Sequence, residues 1–148
     1  MLHELVYTSR AGASITRDRL EEILAVSRTN NDRNNITGLL VFDGSTFCQI
    51  LEGEKSAIDK TYDRIKQDNR HIDSFVLHTG EIHQRNFQNW SMSFKMIQKR
   101  VNTESWTDIL TARKMISDIP SDKTLGSLIL KLLTGKDSFD DDTPFGVV

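Results

Sequence analysis

Apolar and polar residues alternate from Leu2 to Ser9, with Leu5, Tyr7 and Ser9 on one face and Val6 and Thr8 on the other. That period of two predicts a strand. From Thr16 the period changes to helical, with Thr16 placed to cap and Leu20, Ile23 and Leu24 forming an apolar stripe that the small Ser27 continues. The stripe runs out in Asn30, Asn31, Asp32, Arg33, Asn34 and Asn35, a turn-forming cluster in which Asn tolerates left-handed backbone. Ile36–Phe42 and Thr46–Glu52 read as two strands joined at Asp43-Gly44, and Gly53 ends the second. Ile58, Tyr62 and Ile65 then recur at helical spacing, which predicts a second amphipathic helix to about Asp68. Phe75–Leu77 and Trp90–Ile97 supply two more strands, the latter alternating Trp90, Met92 and Phe94 against Ser91 and Ser93.

The order β-α-β-β-α-β, with an extra strand or extended connection in its second half, predicts an α+β chain of ferredoxin-like architecture. Such a motif is an antiparallel sheet with both helices on one face. Beyond it, Trp106, Ile109, Leu110 and Ile116 mark a third helix stopped before Pro120. Leu125, Leu128, Ile129, Leu132 and Leu133 follow the i, i+3, i+4, i+7, i+8 template, with Gly135 at the C′ position. A helical hairpin over 103–134 must bury that stripe. The expected place is the uncovered face of the sheet; the alternative is another subunit.

Composition narrows the class without naming a function. A chain of 148 residues fits one domain, and it shows no internal repeat. A single Cys excludes a disulfide framework, and four scattered His beside it leave no zinc site. No apolar run approaches the ~20 residues of a membrane span. A net charge of -2 argues against a nucleic-acid footprint. Residues 136–148 carry one Lys and four Asp, a local charge of -3 that leaves the rest at +1. Their spacing does not fit an EF-hand loop, so they are expected to form a disordered, solvated tail. The expectation is a cytoplasmic protein with no membrane or nucleic-acid partner.

Strand parity supplies the first chemistry. Tyr7 shares a face with Leu5, and Gln49 shares one with Phe47 and Leu51. If both faces meet the helices, a hydroxyl and an amide are buried together, at about 1–3 kcal/mol for each unpaired group. For that pair alone, mutual hydrogen bonding is sufficient explanation. Asn31, Asp68, Arg70, His71 and Ser9 raise the polar count beyond what a structural core tolerates. They surround a gap between two helices whose facing Ile23 and Ile65 can clamp a planar ring. A ring with amide-like edges and an anionic tail suits this set.

The chain resembles the BLUF family of blue-light sensors, which bind a flavin between the two helices of a ferredoxin-like domain. The resemblance covers about residues 2–98. It rests on Leu5-Val6-Tyr7-Thr8-Ser9, Asn30-Asn31, Asn35-Ile36-Thr37-Gly38-Leu39-Leu40, Phe47-Cys48-Gln49-Ile50-Leu51-Glu52-Gly53-Glu54, Asp68-Asn69-Arg70-His71 and Phe87-Gln88-Asn89-Trp90-Ser91-Met92. It implies that Tyr7 is the photoactive donor to the excited flavin and that Gln49 bridges Tyr7 to the ring. It implies that Asn31 bonds a ring carbonyl and that Ile23 and Ile65 pack the ring. Arg64, Asp68, Arg70 and His71 are similar to groups near the ribityl chain and phosphates. Trp90 and Met92 match the positions that pass the signal outward, and the role of Asn30 stays open. The flavin implied is FAD, with FMN or riboflavin as alternatives.

On this reading the protein is a switch and not an enzyme. An acylphosphatase-like enzyme on the same fold is the alternative, but Arg10-Ala11-Gly12-Ala13 is no Gly-rich phosphate loop. An RNA-binding sheet needs exposed aromatics on its central strands, where Cys48 and Ile50 stand. Cys48 alternates away from Gln49 and is expected to be a buried structural thiol, while His78 and His83 are expected to be structural or surface residues. The expected organisation is a sensor over 2–98, a coupling hairpin over 99–135 and an acidic tail over 136–148. With no segment to spare for an output enzyme, the signal is expected to pass to a separate protein partner or through self-association as a homo-oligomer.

Overall fold

The computed structural model describes residues 1–12, 15–88, 91–96, 123–134 and 146–147. Strand β1 (Leu2–Ala11) is followed by helix α1 (Arg17–Asn34), strands β2 (Thr37–Phe42) and β3 (Thr46–Glu54), and helix α2 (Lys55–Gln67). Strands β4 (His71–Glu81) and β5 (Ser93–Met96), helix α3 (Leu125–Thr134) and the short strand β6 (Gly146–Val147) complete the described elements. The predicted third helix at Trp106–Ile116, Trp90, Gly135 and the Asp residues of the tail lie outside the described residues.

The Thr16 cap and the Asp43-Gly44 turn form where the residue types placed them, whereas residues 30–34, predicted as a turn, are helical. Thr16 Oγ1 accepts the Arg19 N–H at 3.2 Å and starts α1. The helix runs through the Asn cluster to Asn34, and Asn35 ends it in the left-handed region at φ 55°. At the β2–β3 turn, Gly44 takes φ 99°, while Asp43 Oδ1 accepts the N–H groups of Ser45 and Thr46.

The sheet order is β4-β1-β3-β2-β5-β6. The first four strands are antiparallel, in the ferredoxin-like order, but β5 pairs parallel to β2 and β6 parallel to β5. This departs from the wholly antiparallel expectation, and residues 82–88 supply the reason. They run along the end of the sheet where β2 starts, from the Ile82 N–H on the Leu2 carbonyl to Arg85 on Thr37, so β5 starts at that end. Arg85 fastens this crossing to the sheet end through Thr37 Oγ1, the Glu52 carbonyl and the Asn35 carbonyl, at 2.8, 3.0 and 2.8 Å.

Three boundaries also differ. β5 starts at Ser93, three residues after the predicted start, and β3 runs past Gly53 to pair Glu54 with Leu2. β4 is eleven residues long where a short Phe75–Leu77 strand is predicted. It is an edge strand with two register shifts against β1, so half-exposed polar positions replace strict alternation.

Two layers bury the two sides of the sheet. The helix side holds Leu5, Tyr7, Leu40, Phe42, Phe47, Leu51 and Phe94, with Leu20, Ile23 and Leu24 of α1 and Ile58 and Tyr62 of α2. The other side buries Val6, Leu39, Val41, Cys48 and Ile50, and α3 adds Leu125 and Ile129 to the buried set.

Candidate cofactor-binding site

Pairing across the sheet sets the floor of the site. Tyr7 stands directly opposite Gln49, and Gln49 opposite Leu40. Each such pair shares a face, so the three side chains line up under the gap between α1 and α2. There, a cleft of about 190 Å³ is walled by Ile23 and Asn31 of α1 and by Arg64 and Ile65 of α2. Asp68, Arg70 and His71 close one end of it, and Gln49 and Leu40 form the floor. Eight of the residues singled out in the sequence thus converge on one cavity.

Tyr7 lies just beneath, fully buried, and its hydroxyl donates to Gln49 Oε1. Gln49 Nε2 is directed to Met92 Sδ at 3.3 Å. A thioether is a weak acceptor, so one end of the amide is strongly bound and the other is held lightly. Burial, with smaller contributions from Cys48, Tyr62 and Asp68, pushes the Tyr7 phenol well above its ordinary value. Tyr7 therefore stays protonated at any physiological pH. The Tyr62 ring packs on it at 5.0 Å between centroids and 52° between planes.

The entry to β5 is gripped from α1. Asn31 Nδ2 donates to the Ser91 carbonyl at 2.7 Å, and Arg28 Nε to the Met92 carbonyl at 2.9 Å. Both Met92 and Asn31 therefore join the constellation around Gln49, while Trp90 is outside the described residues.

The polar end is organised by Asp68. Its carboxylate accepts the Arg70 N–H and, at 2.6 Å, Arg70 Nη2. The Arg70 side chain holds the Asp68 carboxyl below the usual carboxylate range. His71 Nδ1 lies 2.9 Å from Ser9 Oγ. Burial lowers the His71 ring to about 4, so it is neutral at pH 7 and is no cation at the mouth. The cationic groups there are Arg70, engaged with Asp68, and the exposed Arg64, which reaches Thr61 Oγ1 at 3.4 Å.

Val26, Ser27, Asn30 and Thr61 also line the cleft. The sequence singles out Ser27 and Asn30 without a role at the site, while Val26 and Thr61 could have been found from periodicity, three residues after Ile23 and four before Ile65. The donor set fits a flavin. The aliphatic walls of Ile23 and Ile65 suit a planar ring, the Gln49 amide offers both a donor and an acceptor, and the guanidinium groups of Arg64 and Arg70 in the same lining suit an anionic tail.

The cofactor itself is indicated by comparison. The family model described as BLUF, sensors of blue-light using FAD, matches residues 2–93. The chain belongs to the BLUF family. Among BLUF structures, the dark-state structure of BlrB is 34% identical, with a TM-score of 0.62 over 64% of this chain and 72% of that one. The photo-activated state of BlsA is 28% identical, with a TM-score of 0.64 over 90% of this chain and 93% of that one. The photoactivated adenylate cyclase subunit beta of Euglena gracilis is 28% identical over 93% of this chain. The chain spans only 14% of that relative's length. The blue light- and temperature-regulated antirepressor BluF of Escherichia coli (strain K12) is 35% identical over 48% of this chain and 18% of its own.

Proposed function

We propose that the protein is a blue-light photoreceptor that holds FAD between α1 and α2 and signals by a change in protein–protein association, with no catalysis of its own. The observation that carries this reading is the chain Tyr7–Gln49–Met92 laid along the floor of a cleft walled by Ile23 and Ile65. A bound flavin supplies the blue absorption and, once excited, a strong oxidant.

Tyr7 is the donor. Its phenol is buried and protonated. If an excited flavin took an electron from it, the hydroxyl proton would move along the bond to Gln49 Oε1, and the amide would stay neutral by giving a proton from Nε2 to the reduced flavin. Gln49 is the switch, because its amide carries a donor and an acceptor on one rotatable group. Rotation or tautomerisation exchanges the two, and the light hold of Met92 Sδ on Nε2 keeps that exchange cheap. Exchange at Gln49 alters its bond to Met92, whose carbonyl is tied to Arg28, and so reaches β5. Trp90 and Met92 carry the change outward. Arg64, Arg70, Asp68 and His71 hold the ribityl and phosphate end.

That the family is described as using FAD supports FAD over FMN or riboflavin. Relatives named as an adenylate cyclase subunit and an antirepressor support output to an effector; in this proposal the output passes to a separate partner or a second copy of the chain, in the cytoplasm. No helix among the described residues is long and apolar enough to cross a membrane. The acylphosphatase-like alternative is not favoured. The Gly12 N–H is spent on the Arg70 carbonyl at 3.1 Å and a Cβ there would meet the Asn69 carbonyl, so the segment is no open phosphate cradle.

The test is the visible spectrum of the purified protein before, during and after blue light, with the released chromophore identified by chromatography. A flavin band that moves to longer wavelength and recovers in darkness is expected, with FAD released. A colourless protein, or a flavin band that is unmoved by light, overturns the reading.

A further inference from the structure

On the face of the sheet turned away from the cleft, two carboxylates lie directly opposite one another. Glu4 of β1 pairs with Glu52 of β3, and their exposures are 1% and 0%. Two buried like charges at this distance oppose each other, and they are stabilised by different donors. Glu52 accepts the N–H groups of Asn86 and Phe87 at 2.7 and 3.0 Å and the Thr37 hydroxyl at 3.1 Å. Glu4 instead faces α3: Oε1 accepts the Leu125 N–H at 3.0 Å and Oε2 the Gly126 N–H at 3.2 Å.

The helix end is built around that contact. Thr124 and Ser127 cap each other reciprocally at 3.1 Å, and Asn86 Nδ2 links Thr124 Oγ1 to Glu52 Oε2, at 3.1 Å each. Gly126 allows the approach, since a Cβ there would stand 2.8 Å from Glu4 Oε2 and 3.5 Å from Ile50 Cγ2. Leu125 and Ile129 are fully buried beside it.

We propose that Glu4 is the docking residue for α3, and that the proton it carries sets how tightly this C-terminal helix is held against the sheet. The proposal rests on the geometry of this face and not on the photochemical reading. Burial first, and the Glu52 charge last, raise the Glu4 carboxyl to about 7, against the pull of the two backbone donors. When α3 lifts away, the Glu4 oxygens are no longer enclosed by Leu125 and Gly126, and access to water lowers the carboxyl from that value.

Docking therefore takes up a proton. Its strength is greatest below the ordinary value and falls as pH rises through about 7. Between pH 6 and pH 8, linkage changes the docking equilibrium roughly tenfold. Among the described residues, the other titratable groups facing Glu4 are Glu52 of β3 and His78 of β4, whose Nε2 lies 3.7 Å from Glu4 Oε1. Burial lowers the His78 ring from its ordinary value, which favours its neutral form. Glu52, although raised, keeps its own set of donors whether or not α3 is docked.

The test is hydrogen exchange of the α3 amides in the full, flavin-loaded chain, kept dark, at pH 6 and pH 8 and corrected for intrinsic exchange. Opening of α3 should be roughly tenfold more frequent at pH 8, and Glu4→Gln should abolish that difference. Equal opening of the unaltered chain at both pH values overturns the proposal, as does a difference that survives Glu4→Gln. If Glu4→Gln does not fold, Gly126→Ala provides the second variant. It should raise α3 exchange at both pH values and leave β1 and β3 protected, and unchanged α3 exchange would contradict the contact. No step of this experiment uses light, so its failure is separate from failure of the photoreceptor reading.

Discussion

The two faces of this sheet bury polar groups in opposite ways. On the cleft side, Gln49 divides its amide between one strong partner, the Tyr7 hydroxyl, and one weak partner, the Met92 sulfur. On the other side, Glu52 is saturated by backbone and side-chain donors from the crossing connection and from β2. A weakly committed group next to a cavity can change partners at small cost, whereas a saturated one cannot move without orphaning its donors. The first arrangement suits a switch and the second an anchor.

The largest effect should come from breaking the anchor. Glu52→Leu leaves the Asn86 and Phe87 N–H groups buried without acceptors, and should lower stability by about 3 kcal/mol or more in chemical denaturation. A loss below about 1 kcal/mol would mean that the second face is no more committed than the first.

The faces should next separate by pH. His71, lowered to about 4, adds stability that is present above its ordinary 6.5 and lost as pH falls towards 4, by roughly 3 kcal/mol. Glu4, raised to about 7, acts in the opposite sense: its contribution is present below about 4.5 and lost as pH rises through 7. The two slopes oppose each other in the unaltered protein. His71→Asn should leave stability falling with rising pH, Glu4→Gln should leave it rising, and denaturation midpoints between pH 4 and 8 would show both. Identical profiles for the two variants would remove this distinction.

The smallest effect should come from Cys48, whose thiol is buried beside Ile50 and pushed up by desolvation. Cys48→Ala should cost about 1 kcal/mol in thermal or chemical unfolding and leave any light response intact. Loss of the light response in Cys48→Ala would mean that the second face takes part in the photochemistry.

The cleft was largely legible from the sequence because its signals are local. Tyr7 and Gln49 follow from strand parity, Ile23 and Ile65 from helical spacing, and Asn31 and Asp68 from their places at the ends of the two helices. The anchor was not legible. Nothing local marks Glu4 or Glu52, since their partners are Leu125 and Gly126, more than a hundred residues from Glu4, and Asn86 and Phe87 in an irregular connection. The parallel pairing of β5 was missed for the same reason. Its direction is set by where the crossing connection ends, and no period of two or 3.6 records that. Edge strand β4 was predicted only over Phe75–Leu77, because exposure on one side and two register shifts erase the alternation along the rest of it.

The proposed switch is tested most directly by the light-minus-dark difference spectrum of Gln49→Leu beside that of Tyr7→Phe. Both variants should keep a bound flavin, held by Ile23, Ile65 and the Arg64–Arg70 end, and neither should show the reversible shift to longer wavelength. A shift of ordinary size and reversibility in either variant would contradict the role given to that residue and, in Gln49→Leu, the switch itself.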